Sequence, residues 1–464
     1  MKIDKTSRLP AGRPGSPAAP PGEPGVALRA TRVRWHIVAL LAFMAGLTYV
    51  DRLNFGIAGT YIQGQFHLSN QAMGWILGSF SLGYAFFHIP AGWLGDRFGP
   101  RRILALAVLW WSLFTVVTAI VPHLPVALFI GLAWSFGIAR FMLGVGESAC
   151  LPVGNKTMGI WLGDRQRGFG TSVFLAGVGA GGILAPPCIT WMAKNWGWQS
   201  SFYLCGVLGI VLAIAWYAYA TDRPGEHRGV NAAELEIIQA HDPDETNQAR
   251  FRKPAHPHTP WRRVFSSASV WGLMISHFCL VYPVYIFFTW FFIYLVRVRG
   301  ISIVKSGLWG STPFIATTFL VPFWGWLTDR AVEKFGKRAG RRNTVWLGVA
   351  LSAILLWSGS RTVNNDLAIL QLAAAAGFNL AAAAVLWITC NDITCQFSGS
   401  VSGVMTTFGS LGGWLSPVLT AWIATKFGWT QAIDFAALVT VVSGAAWFFI
   451  DPGRSLDDKR KVAG

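Results

Sequence analysis

The chain is short of charge. Only 13% of its 464 residues are Asp, Glu, Lys or Arg, where soluble domains carry about 25%. Acidic residues are the scarcest, 21 against 38 Lys and Arg. Signatures of several chemistries are missing too. No G-x-x-x-x-G-K-[ST] phosphate loop occurs, so an ATP-driven pump has no support, and there is no HExxH or comparable metal constellation. No nucleophile–base set is visible and the polar segments are too small for a catalytic or signalling domain, so an enzyme is not expected. The six cysteines (150, 188, 205, 279, 390 and 395) sit in or beside apolar stretches without metal spacing. They read as small packing residues rather than a disulfide framework. Residues 1–31, rich in Pro, Gly and Arg, have no signal-peptide core and are expected to be a disordered cytoplasmic tail.

Apolar residues are what the chain has in excess: 53% of the total, with a mean hydropathy of +0.45. Runs of roughly 18 or more can cross a bilayer core. With their Pro, Gly and charged breaks they predict spans at 35–60, 71–94, 103–121, 126–151, 168–191 and 200–220. A second set follows at 268–296, 306–328, 344–360, 367–392, 402–425 and 432–450. This is an all-α membrane protein with twelve transmembrane helices in two six-helix halves. The expected organisation is a tail (1–34), a bundle (35–220), a cytoplasmic linker (221–266), a second bundle (267–452) and a C-terminal tail (453–464).

The formal charge of +17 could suggest nucleic acid, but its distribution argues against that. If the first span runs outward, 29 of the 38 Lys and Arg fall on the cytoplasmic side and six on the other. Three lie within or near spans. By the positive-inside rule both termini are cytoplasmic, in a multi-pass inner membrane protein. Within the linker, Asn231 reads as the cap of a short helix with Glu234 at its third position.

One turn recurs. Gly92-Trp93-Leu94-Gly95-Asp96-Arg97-Phe98-Gly99-Pro100-Arg101-Arg102 joins spans two and three, and Gly325-Trp326-Leu327-Thr328-Asp329-Arg330 opens the turn between spans eight and nine. Small residues let helices approach, and each Asp can cap or pair with the basic residues that follow. Duplicated halves are a transporter architecture with the substrate site at the midplane between them. A competing fingerprint, Gly177-x-Gly179-x-x-Gly182, lies in an apolar span with no preceding strand, so helix packing explains it better than a dinucleotide site.

With this turn the chain resembles the major facilitator superfamily. Further motifs make it similar to the anion:cation symporter family, which includes bacterial galactonate, glucarate and hexuronate transporters. They are Tyr49-Val50-Asp51-Arg52-Leu53-Asn54, Arg140 to Glu147, Gly197 to Phe202, the linker around Asn231 to Leu235, Gly403 to Met405 and Gly412 to Pro417. The resemblance implies a cofactor-free carrier, driven by the proton gradient, that imports a small organic anion by alternating access. That anion would be a sugar acid or other carboxylate. An aromatic or dicarboxylate carrier is the alternative, a passive facilitator or membrane sensor a lesser one. Its partners would be the substrate, protons and the lipid bilayer, with no nucleic acid, and the protein would be a monomer.

Ionisable residues inside spans cost roughly 2.5–3.5 kcal/mol each on insertion scales and are functional candidates by default. Asp51 and Arg52 lie past the middle of span one and point about 100° apart. Arg52 can take a substrate carboxylate through its planar fork while Asp51 carries a proton. Arg140 and Glu147, seven residues apart, share a face at ~10 Å separation. Asp51 is then the expected partner of Arg140, as a supporting ion pair, which leaves Glu147 as the less compensated acid. The resemblance likewise makes Asp51 and Glu147 the proton-coupling pair. It also makes Tyr84 a substrate contact, with His88 one turn on where Gln is usual. Tyr49, Asn54, Tyr282, Tyr285 and Asn391 are further substrate-binding candidates, and Gly92, Asp96, Arg97, Gly99, Arg101, Asp329 and Arg330 form the conformational-switch turn. The family's span-five Gln is replaced here by Val178, and Thr406 stands where Asn is common in span eleven.

Overall fold

A computed structural model of the chain describes residues 29–239, 261–394, 398–453 and 456. Most of the expected N-terminal tail, part of the linker and most of the C-terminal tail lie outside these residues. Within them the fold is helical and strand-free. Spans one to three are Val33–Phe66, Asn70–Phe98 and Pro100–Ile120, and spans five and six are Asp164–Trp196 and Gln199–Tyr219. Span seven is Ala268–Thr289 continued by Phe291–Arg297, and spans ten to twelve are Asn365–Ile393, Ser398–Lys426 and Trp429–Ala446. Spans eight and nine form one helical run, Thr312–Arg361, divided at Gly336 (φ 77°, ψ 166°). Span eleven, rich in Gly, Ser and Thr, packs against spans two and seven.

Span four differs most from its expected bounds of 126–151. A short helix at Val126–Ile130 ends at Gly131, and the crossing itself runs through Leu132–Glu147 and Cys150–Trp161. The interruption has a local cause. Pro152 has no N–H to give the Ser148 carbonyl four residues earlier, and its ring crowds that carbonyl. The helix therefore steps immediately after Glu147.

The recurring turn has the same backbone in both halves. Gly99 (φ 85°) and Gly336 (φ 77°) adopt a conformation that side chains disfavour. Two residues after each stands an arginine held by an aspartate at the end of that half's last helix. The Arg101 N–H donates to Asp222 Oδ1 at 2.9 Å, and Arg338 pairs with Asp451 at 3.3 Å. Pairing by the turn's own aspartates is not what the described residues show. Asp329 is exposed and outside any ion pair among them, while Arg341 and Lys337 pair with Asp392 at the end of span ten. The Asp96 side chain lies outside the described ones. Arg97 and Arg330 lie over the Trp93 and Trp326 rings.

The two halves meet at the end remote from the chain termini. There Phe55, Ile62, Met73 and Ile76 share one apolar cluster with Ile286, Trp290, Ile293 and Ala421. A Cβ on Gly56 would lie 2.7 Å from the Phe288 carbonyl oxygen, so only glycine permits this crossing. Arg297 donates to the Thr60 carbonyl and Ser311 to that of Ile183, again between halves. At the terminus end the apolar clusters are separate, one from residues 33–220 and one from residues 264–450. Among the described residues the halves are joined by apolar packing at one end, and at the other each keeps its own cluster. Gly177, from the discarded fingerprint, lies against the Ala42 backbone and serves the packing of spans one and five.

The linker helix forms as the capping signal predicts, at Ala232–Gln239, with Asn231 Oδ1 accepting the Glu234 N–H at 2.9 Å. Glu234 does not turn back on its own helix. It caps span one, accepting from the Val33 and Arg34 N–H groups, the Thr31 hydroxyl and the Arg34 guanidinium at 2.8 Å. Burial would raise its pKa, but these donors outweigh burial and hold it below the usual carboxylate range. Their stabilisation is complete above the unfolded value of about 4.3 and disappears as pH falls through the lowered folded one. Glu234→Ala leaves Arg34 enclosed without its counter-ion, at a cost of about 3 kcal/mol. The expected result is a lower melting temperature in detergent, with faster amide exchange at residues 31–38. Unchanged exchange there would remove the capping role.

Candidate substrate and proton site

Four charged side chains gather where span one crosses span four, and each is nearly or fully enclosed. Arg52 reaches from span one to Glu147, its Nε donating to Oε2 at 3.0 Å. Span four stops its first helix at Glu147, which fixes the carboxylate at a helix end facing span one. Arg140, two helical turns earlier, donates to the Asp51 backbone carbonyl at 3.3 Å and lies over the Phe55 and Phe80 rings.

This pairing corrects the expected one. Glu147 is the acid with a direct counter-ion, and Arg140 approaches Asp51 through the main chain rather than the carboxylate. Asp51 is the less compensated acid. Its carboxylate is 1% exposed beside Cys205 and Thr115, with neither oxygen in hydrogen-bonding geometry. The divergence of neighbouring side chains explains the exchange. Asp51 points into the first bundle toward spans three and six, whereas Arg52 points toward spans two and four.

Around the Arg52 guanidinium stand the rings of Tyr49, Phe80 and Tyr84, at 5.1, 5.3 and 4.7 Å to their centroids. His88 follows Tyr84 on the same face, ring centroids 5.2 Å apart. It lies against the Ser148 carbonyl, which Pro152 leaves free, and its Nδ1 is enclosed without a partner among the described residues. The second half closes the group. Phe288 packs edge-on against Tyr49 at 5.8 Å and against Tyr285 at 5.5 Å, which brings Tyr285 to the same group of rings.

Two sequence candidates fall elsewhere. Asn54 accepts from the Ser201 hydroxyl at 2.7 Å and is fully buried against span six. Tyr282 shares a hydrogen bond with Thr420 at 3.1 Å and packs on Phe435, so it joins spans seven, eleven and twelve. The Asn391 side chain lies outside the described ones. Reading the sequence missed Phe80, which lies over both Arg52 and Arg140, and Phe288, which packs on Tyr49. An apolar ring in an apolar span carries no signal of its own, and only its neighbours in the fold single it out.

The Major Facilitator Superfamily model matches residues 41–417 and 306–463. Among curated proteins, the chain is 26% identical to a "probable sulfoacetate transporter" of Cupriavidus necator, over 93% of this chain and 97% of that one. It is 28% identical to a "probable galactarate/D-glucarate transporter" of Bacillus subtilis, over 86% and 87%. It is 26% identical to a D-galactonate transporter of Escherichia coli, over 90% and 96%. Two solved structures share the fold. One is a bacterial homolog of the human lysosomal transporter Spinster, inward-facing and occupied (TM-score 0.72, 17% identity, 90% of this chain and 97% of that one). The other is a D-xylose-proton symporter (TM-score 0.70, 16% identity, 91% and 100%). These relatives are transporters and not enzymes. With a family match that runs through both halves, the chain belongs to the Major Facilitator Superfamily as a multi-pass membrane transporter.

Proposed function

We propose that the protein imports a small organic carboxylate together with protons, by alternating access. The observation that carries this reading is the enclosed Arg52–Glu147 pair at the junction of the halves. With Asp51 and Arg140 the group is electrically balanced, so a substrate anion arriving alone would add an uncompensated buried charge. A proton delivered to Glu147 ends that group's claim on Arg52. The substrate carboxylate then takes the guanidinium through its planar fork, with Tyr49, Tyr84, His88 and Tyr285 around it. One proton and one monoanion enter together and the balance is kept. Asp51 holds a second proton site.

The positive-inside distribution supports cytoplasmic termini in an inner membrane protein. The state described here then opens inward, and the halves must part at Gly56 and close at the recurring turns to reach the outside. The relatives named for galactarate, glucarate, galactonate and sulfoacetate support an anionic substrate, and the fold shared with a proton symporter is compatible with coupling. The protein works as a monomer in this scheme. Proteoliposomes with an imposed pH gradient test it. Uptake of a carboxylate should exceed equilibrium while the gradient stands and stop when an ionophore collapses it. Accumulation that survives collapse would end proton coupling.

A further inference from the structure

We infer that the substrate is a carboxylate on an aromatic body rather than a polyhydroxylated sugar acid, an inference that rests on the carboxylate reading of the Arg52 site. Beyond the three rings that surround the guanidinium, aromatic wall continues into the second half without a break. Phe288 meets Tyr49 edge-on at 5.8 Å and Tyr285 at 5.5 Å, and stacks on Phe314 at 5.6 Å with planes 4° apart. Tyr49, Tyr285 and Phe288 are each partly exposed, so a ligand whose carboxylate lies on Arg52 has ring surface within reach on both halves. Another ring meets such a wall in the offset and edge-on arrangements that aromatic pairs prefer.

A sugar acid needs partners for every buried hydroxyl, and the threonines of the second half have committed their one donor each, so they can accept but not donate. Thr289, Thr317, Thr318, Thr406 and Thr407 each donate to the carbonyl four residues back in their own helix. In span five, Val178 packs into the apolar cluster of the first half and offers no amide. The polar groups left beside Arg52 are the phenols of Tyr49, Tyr84 and Tyr285 and one imidazole. The five hydroxyls of galactonate, or the four of galactarate with its second carboxylate, would outnumber these four groups, and a buried hydroxyl without a partner is costly. The asymmetry favours a ring, since an apolar wall gains from a ring what it cannot return to a hydroxyl.

The test is binding to the purified full-length protein in detergent, by calorimetry, with benzoate, phenylacetate, galactonate and galactarate as probes. Benzoate or phenylacetate should bind at least tenfold more tightly than either sugar acid. Phe288→Ala and the milder Phe288→Leu should each shrink that ratio at least threefold. Leucine keeps an apolar side chain there but not the ring, so a merely structural role would weaken all four probes alike and leave the ratio in place. Sugar acids binding as tightly as the aryl acids, or a ratio unmoved in both variants, would overturn the aromatic assignment and leave the carboxylate site standing. Probes that all fail to bind, or that bind equally to Arg52→Ala, would overturn the carboxylate reading itself.

Discussion

Arg52→Ala is expected to lower carboxylate uptake at least a hundredfold, and Arg52→Lys to recover only part of it. The guanidinium is the cation that Tyr49, Phe80 and Tyr84 enclose, and it alone is paired with the acid proposed to give way to substrate. Truncating one member of a desolvated, hydrogen-bonded charge pair costs about 2–5 kcal/mol, which spans roughly 30-fold to several thousandfold. Part of that cost is the stranded Glu147 carboxylate rather than lost substrate contact. The double variant Arg52→Ala/Glu147→Gln separates the two. Removing both charges leaves neither unpaired, so thermal stability should return toward wild type. Uptake should not return. If uptake recovered along with stability, Arg52 would be a structural counter-ion and the carboxylate would bind elsewhere. The lysine variant keeps the charge while losing the planar fork and the ring stacking. It tests whether geometry matters beyond charge.

Hydropathy and charge placement suffice for the architecture because a bilayer punishes error so heavily. A span must be long and apolar, and Lys and Arg must collect on one side, so both patterns are written into composition. The recurring turn adds the relation between halves, and the left-handed glycines at 99 and 336 show that the likeness reaches the backbone. What could not be read is which charges meet. Seven-residue spacing on span four was legible, and so was the divergence of Asp51 from Arg52. Choosing the partner of Glu147 required the crossing angle of spans one and four, and a sequence does not state it. The step after Glu147 was visible in principle, since Pro152 forbids a continuous helix there, but its use in freeing the Ser148 carbonyl for His88 depends on span two lying alongside. Asn54 and Tyr282 show the opposite failure. Polar residues in spans attract a functional reading, yet Ser201 and Thr420 satisfy them inside the bundles. Partners explain polar residues more often than substrates do, and partners come from distant parts of the chain.

Glu147→Gln should abolish accumulation driven by the pH gradient while sparing exchange of substrate for substrate. The amide reproduces the protonated acid in shape and charge. Arg52 is then permanently released, and the anion can bind without a co-arriving proton. One pH unit is worth about 1.4 kcal/mol per proton, so a carrier moving one proton per electroneutral cycle concentrates its substrate about tenfold across it. The wild-type protein should approach that ratio in proteoliposomes, whereas the variant should settle near one. Counterflow of labelled against unlabelled carboxylate requires binding and rocking but no net proton movement, so it should continue and lose its dependence on pH. Asp51→Asn gives the complementary measurement. Asp51 has no direct counter-ion to release, and its carboxylate faces spans three and six rather than the substrate. Its neutralisation should slow uptake without freeing Arg52, leaving the accumulation ratio and the pH dependence of binding in place. A Glu147→Gln protein that accumulates substrate as the wild type does would move proton coupling away from span four. If Asp51→Asn alone abolished the pH dependence of binding, the roles of the two acids would be reversed, and the Arg52–Glu147 pair would be a fixed brace rather than the switch.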